Sequence, residues 1–371
     1  MTALTLSNGF KSNYILKLKS NKKFTMVGFV MNLLSAPLFL IAYIIFSSQM
    51  INRKENLNSV SQESYMAYQS FNKMYIIIPA LAIAIAVIIG VFIALNTFDY
   101  LYKRSNVDMY LALPLTTKQR FFSDFLAGAT SYLIPYLASG IVTMILSFIA
   151  QPIAKKAFSK TSAYLSLLDN NIPYAMFKLI LFGLIIMLSV YVITVLVTTL
   201  CGNIIECIMY TGLINIFVPL SIFVCGELLL RDLYGMDSIS SFLPLIHKTS
   251  PIGSIICIAS KFISKQYNKE INQYTYWMIP FFILTFVLFV LSYFVYKKRK
   301  AEQVGKPVVF KAFYYIVTTL VIFTISGVFV ISAGYNDLEK NIVPLIITSA
   351  TIFFIFEVAS NRGFKKIWKG A

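Results

Sequence analysis

Residues Ala175–Leu200 read AMFKLILFGLIIMLSVYVITVLVTTL, an apolar run interrupted by one charge, Lys178. A helix needs about 20 apolar residues to cross the hydrocarbon core of a bilayer, and this run exceeds that length. Cys201-Gly202-Asn203 follows, where Gly-Asn signals a turn, and then a second apolar run, Ile204–Cys225. The pair reads as two membrane-spanning helices joined by a tight turn; a single uninterrupted helix is the competing reading. Six more stretches meet or approach spanning length: Phe24–Phe46, Met74–Thr97, Phe121–Ala150, Tyr274–Tyr296, Phe310–Ser332 and Ile342–Ala359. The expectation is an all-α integral membrane protein of about eight spans.

Composition supports this. Of 371 residues, 58% are hydrophobic and only 13% charged, with a mean hydropathy of +0.75. A soluble domain carries about a quarter charged residues, so there is too little charge here to cover a water-facing surface. The net charge of +17 does not point to nucleic acid, because Lys and Arg fall between the apolar runs, where they orient a protein in a bilayer. With the N-terminus placed in the cytoplasm, an even number of spans returns the C-terminus there. The inner side then holds 19 of the 32 basic residues, most densely at Lys297-Lys298-Arg299-Lys300. The first apolar stretch is too long for a signal peptide and lacks a cleavage site, so it reads as a retained span. Cys201, Cys207, Cys225 and Cys257 form no C-x-x-C pair and read as apolar packing residues; a Cys225–Cys257 bridge is conceivable.

Enzymatic constellations are absent from the sequence. The lone histidine, His247, lies beside Lys248 in an outer loop. There is no metal-ligand cluster and no phosphate-cradling G-x-x-x-x-G-K-[ST] loop, so catalytic and metal residues are expected to be none, and any ATP must be bound by another chain. Nor does an acid sit at an expected midplane, as ion-coupled transporters require; a secondary transporter or channel working without an ATPase is the alternative functional class. Asn32, Asn96 and Asn215 lie within apolar spans. Each reads as a hydrogen-bonding residue between helices or, more sharply, as lining a translocation path. The outer region 226–273 contains Pro251–Ala259, too short to cross, and reads as a re-entrant or interfacial helix or as part of a folded cap.

The inner loop 98–120 is the most informative. Ser105 and Asp108 resemble a capping box, and Val107, Tyr110 and Leu111 recur on one helical face. Pro114 stops the helix, and Thr116 or Thr117 caps the next, whose Lys118 and Arg120 suit lipid headgroups. The result is a helix of about two turns, roughly 12 Å long, lying along the inner surface. On physical grounds it packs against its own bundle or docks a soluble partner, with neither preferred.

The run Val107-Asp108-Met109-Tyr110-Leu111-Ala112-Leu113-Pro114-Leu115-Thr116 resembles the V-D-x-Y-x-x-L-P-hydrophobic-T stretch of type-2 ATP-binding-cassette exporter permeases of Gram-positive bacteria. Gly202-Asn203 and Arg299-Lys300-Ala301-Glu302-Gln303-Val304-Gly305-Lys306-Pro307 match further motifs in the same order. The basic residue after Pro-x-Thr comes one or two positions later than is usual in that family. The resemblance implies a six-helix exporter core plus a C-terminal two-helix hairpin, with both termini cytoplasmic. The organisation would be an interfacial elbow helix over 1–23, with Phe10, Tyr14 and Leu18 on one face. A six-span core over 24–297 would follow, then a linker and hairpin over 298–371. It implies a coupling helix in which Arg104, Val107, Asp108, Met109, Tyr110, Leu111, Leu113 and Pro114 meet an ATPase. Pro251, Ile252, Ile255 and Ile256 would form an outer gate. Implied partners are cytoplasmic ATPase subunits carrying ATP and magnesium, a second permease, and membrane lipids. The implied cargo is hydrophobic or amphipathic: peptide, drug or lipid, with antimicrobial or phenol-soluble-modulin peptides as one kind. The implied location is the bacterial cytoplasmic membrane.

Overall fold

The structure is a computed structural model that describes residues 3–56, 83–158, 172–232, 250–251, 253–254, 267–306, 308–333 and 338–361. Among these the protein is all helical. In chain order the helices are α1 (Ala3–Asn56), α2 (Ile83–Thr97), α3 (Arg104–Leu111), α4 (Thr117–Phe158), α5 (Ile172–Leu200), α6 (Ile204–Asp232), α7 (Tyr267–Lys298), α8 (Lys311–Ala333) and α9 (Leu338–Asn361). Short 3-10 turns occupy Asp99–Leu101 and Ala301–Gln303, and Cys201 pairs with Val308 in an isolated β-bridge.

Six helical stretches are long and apolar enough to cross a membrane: Gly9–Gln49, Thr117–Ile153, Met176–Leu200, Ile204–Leu228, Phe281–Lys298 and Lys311–Ser332. The chain is therefore a multi-pass membrane protein. Two shorter apolar helices, Ile83–Thr97 and Ile342–Val358, lie where the other two spans were expected. Prolines 37, 135, 152, 219 and 344 sit inside helices, a placement that membrane helices tolerate because neighbours satisfy the freed backbone groups. In α5, 72% of the apolar window is buried, against 22–39% in the other five.

The chain divides into two compact units. One comprises Met1–Thr97, Leu115–Tyr191 and Ile255–Thr285; the other comprises Phe98–Pro114, Val192–Ser254 and Phe286–Ala371. In the first, α1 runs unbroken from Ala3 to Asn56. No break falls at residue 24, where an N-terminal helix was expected to give way to the first span. The reason is a polar stripe at helical spacing. Asn13, Lys17 and Asn21 are buried, while Ile15 and Leu16 are exposed. The Asn13 amide donates to Ser123 Oγ (2.6 Å) and Asp124 Oδ1 (2.9 Å), Lys17 Nζ donates to the Thr97 carbonyl (2.8 Å), and Asn21 donates to Thr97 Oγ1 (2.8 Å). These bonds fix the first third of α1 against α2 and α4. Buried polar pairs of this kind join helices where lipid offers no hydrophobic drive. Farther along, Ser139 Oγ donates to the Asn32 carbonyl (2.8 Å), and Ile83, Ile186 and Phe281 form an apolar cluster.

The second unit packs α8 against α6 and α9. A Cβ at Gly327 would collide with Val224, so glycine is what lets α8 approach α6 this closely. Tyr314 Oη donates to Glu357 Oε2 at 2.9 Å, which gives the acid in the apolar last helix a partner.

Candidate functional site

Helix α3 is built from the end of the turn before it. Its N-cap is Lys103, in extended conformation, whose carbonyl accepts from the Asn106 and Val107 amides. Ser105 therefore lies inside the helix, one residue past its start, and Lys103 takes the N-cap position that was expected for it. The 3-10 turn Asp99–Leu101 sets the starting point instead, and Lys103 Nζ pairs with Asp99 across 3.2 Å. Leu111 is the last helical residue and Pro114 follows two residues beyond the C-cap, Ala112, as a proline stop requires. Thr116 caps α4: its Oγ1 accepts from the Gln119 amide (3.3 Å) while Gln119 Oε1 accepts from the Thr116 amide (3.1 Å). This reciprocal pair is a T-x-x-Q box that the sequence reading did not single out.

The two faces of α3 differ. Val107 and Tyr110 are buried. Tyr110 stacks on Tyr100 with ring centroids 4.0 Å apart, and Tyr100 Oη shares a hydrogen bond with Tyr296 Oη at 2.9 Å. Asp108, Met109, Leu113 and Pro114 are exposed, Met109 to 71%. Arg104 and Leu111 belong to the helix, but their side chains lie outside the described residues. Of the two expected basic residues at the start of α4, Lys118 is exposed and Arg120 is buried, so only the first faces solvent or headgroups.

Behind this helix sits Arg299, one residue past the end of α7. One guanidinium nitrogen donates to the carbonyls of Thr198 (2.7 Å), Thr199 (3.0 Å) and Cys201 (2.8 Å), and the other to Leu101 (2.5 Å). A helix leaves its last four carbonyls without intrahelical partners. In α5 the Val197 carbonyl accepts from the Cys201 amide, and the Leu200 carbonyl accepts from Val309 at 2.8 Å. Arg299 takes Thr198 and Thr199. The segment 299–310 thus completes the end of α5, and it also reaches the turn that launches α3. Two glycines make the approach close enough. The Gly305 amide donates to the Gly202 carbonyl at 2.8 Å. A Cβ on Gly202 would stand 2.5 Å from the Lys306 carbonyl oxygen, and Gly305 has φ 84°, which favours glycine. Burial lowers the pKa of the Arg299 guanidinium and raises those of the nearby Tyr102 phenol and Cys201 thiol. The buried Tyr102 hydroxyl has no hydrogen-bond partner among the described residues.

Sequence reasoning placed Arg299 in a basic cluster and did not foresee that it turns inward. The available signal was its type: one arginine among lysines, with a fork of donors that a lysine lacks. Of the expected gate, Pro251 is buried at a turn where Ser250 Oγ accepts from the Gly253 amide (3.2 Å); Ile252, Ile255 and Ile256 lie outside the described residues. The three asparagines are not brought together. Asn32 donates to Gly28 within α1 and lines a cavity of about 30 Å³ with Ser35, Ser139 and Thr143, room for about one water. Asn96 bridges to Asn21 at 2.7 Å. Asn215 donates to Thr211 within α6, and its buried oxygen has no partner among the described residues. Cys201, Cys207 and Cys225 are free thiols, and Cys257 lies outside the described residues. Among the described residues no group of three or more metal-ligating side chains occurs. Compared with protein-family models, with curated proteins and with solved structures, the chain matches none.

Proposed function

We propose that this chain is the membrane-spanning permease subunit of an ATP-driven exporter, with eight spans arranged as a six-helix core and a C-terminal hairpin. It moves a hydrophobic or amphipathic peptide, drug or lipid out of the cytoplasm, and a separate chain hydrolyses ATP. The observation that carries this reading is the two-faced helix α3. Val107 and Tyr110 hold it to the protein, while Asp108, Met109, Leu113 and Pro114 project outward. An exposed methionine is a flexible, polarizable contact suited to another protein's surface. Through Leu101 and Arg299 the helix is joined to the ends of α5 and α7, so a push on it reaches the spans as a rigid-body displacement.

The test places a charge on the outward face. Met109→Asp abolishes recovery of an ATPase subunit on affinity purification of the full-length chain, while membrane insertion and yield stay at the parent level. Tyr110→Ala leaves ATP hydrolysis running but uncouples it from export. Purified chain that transports cargo in vesicles with no ATPase present would refute the reading, as would ATPase recovery unaltered by Met109→Asp.

A further inference from the structure

We propose that the segment joining α7 to α8 is a binding site for anionic phospholipid headgroups. Lys297, Lys298, Lys300, Lys306 and Lys311 fall within one short stretch, and all five are exposed. Among the described residues none of them makes an ion pair; Glu302 is the one acid in the stretch and is itself exposed. The stretch begins where the apolar helix Phe281–Lys298 ends and finishes where Lys311–Ser332 begins. Both neighbours are spans, so the segment lies at the membrane surface at headgroup depth. Clusters of four to eight basic residues beside a span attract anionic lipid.

A mobile linker with these charges would only help to orient the chain. This segment is held in shape. Arg299 is tied to four carbonyls, Gly305 and Val309 are bonded to the α5–α6 turn, and Gln303 Oε1 accepts from the Lys300 amide at 3.0 Å. The one arginine points inward and the lysines point outward from a fixed backbone. Lysines carried on a fixed backbone gather on a phosphate at the cost of side-chain freedom alone, without the further loss of chain entropy that a mobile linker would bear. Bound lipid therefore also steadies the contacts beneath it, including the carbonyl of Leu101 at the base of α3.

The experiment uses the full-length chain in neutral detergent, with no ATPase present, so its failure leaves the exporter reading untouched. Thermal melting is followed while phosphatidylglycerol, phosphatidylcholine or inorganic phosphate is titrated in. Phosphatidylglycerol raises the melting temperature and the other two do not. In the variant K297Q/K298Q/K300Q/K306Q the half-maximal phosphatidylglycerol concentration rises about tenfold or more. A control with equal charge loss in the outer region 226–273, K248Q/K261Q/K265Q/K269Q, titrates like the parent. Should the strap variant fail to fold, raising salt on the parent weakens the phosphatidylglycerol effect, because exposed charges are screened. In hydrogen exchange, phosphatidylglycerol slows the Gly305 and Val309 amides. The proposal is overturned if the strap variant titrates like the parent, if the control loses as much, if inorganic phosphate gives the same shift, or if the effect is indifferent to salt.

Discussion

Replacing Arg299 by alanine removes the donors for four carbonyls at once. A hydrogen bond to a charged group contributes about 1.5–3 kcal/mol, so four taken separately would sum to roughly 6–12 kcal/mol. That is an upper bound for two reasons. One nitrogen serves three of the acceptors, so those three bonds share geometry. Arg299 is also only partly buried, so water reaches some of the abandoned carbonyls. The cation at the C-terminal end of α5 adds a dipole interaction of about 0.3–1 kcal/mol. A net loss of about 3–4 kcal/mol is expected, from two or three carbonyls left effectively unsatisfied. Arg299→Lys keeps the charge but has no planar fork to span from Thr198 to Leu101, and it recovers less than half of the loss. The assay is denaturant unfolding in mixed micelles, read alongside amide exchange at Gly305 and Val309, whose bonds hold the same segment. Exchange at both rises in the alanine variant ahead of global unfolding. If Arg299→Ala lies within about 0.5 kcal/mol of the parent and both amides keep their protection, the clamp is not what holds the end of α5.

Three further perturbations address neighbouring parts. Gly202→Ala forces the turn away from the Lys306 carbonyl and Gly305→Ala strains a positive φ; each lowers stability by about 1–3 kcal/mol, measured by melting temperature, and unchanged melting in both would refute the close approach. Burial raises the Tyr102 pKa, so the folded state holds that proton more tightly than the unfolded state does. Its stabilisation is complete below the unfolded value of about 10 and declines as pH rises past it; Tyr102→Phe shows a smaller decline across that range, and identical pH profiles would contradict the burial. Asn13→Leu withdraws a donor from Ser123 and Asp124 and destabilises the first unit by about 1–3 kcal/mol, with cysteine cross-linking of α1 to α4 falling accordingly; full cross-linking would show that the polar stripe does not position α1.

What could be read in the sequence and what could not divide along physical lines. Spans are legible because a bilayer imposes one length on every crossing helix, and runs such as Ile204–Cys225 announce it in composition alone. That Val107 and Tyr110 share one face of α3 was legible for a similar reason, since they recur at helical spacing, but that this face is buried against the protein was not. Nor was the start of α3. Ser105 and Asp108 fit a capping pattern locally, but the chain leaves the Asp99–Leu101 turn in a geometry that makes Lys103 the cap. The unbroken course of α1 was hidden because its partners, Thr97, Ser123 and Asp124, lie far along the chain and only folding brings them near. Arg299 was hidden most deeply. Its acceptors are backbone carbonyls, which every residue carries, so no side-chain pattern marks them.

The bonds at the end of α5 resist sliding of the segment beside it. A span that ends in water can leave its last carbonyls hydrated, and its end can shift freely. The end of α5 has no such freedom, because Val197, Thr198, Thr199 and Leu200 each have a donor, three of them within segment 299–310. Sliding that segment by a few ångströms would break those bonds together, at a cost of several kcal/mol on the scale worked above. Small displacements at the turn before α3 therefore carry α5 and α7 ends with them instead of being absorbed by a flexible linker. This predicts that loosening the clamp and deleting the outward face of α3 produce different failures. Met109→Asp loses the partner. On the exporter function proposed above, Arg299→Lys keeps the partner and its ATP turnover but loses export in proportion to the protection lost at Gly305 and Val309. Export that stays at the parent level while those amides exchange freely would show that the force takes another route.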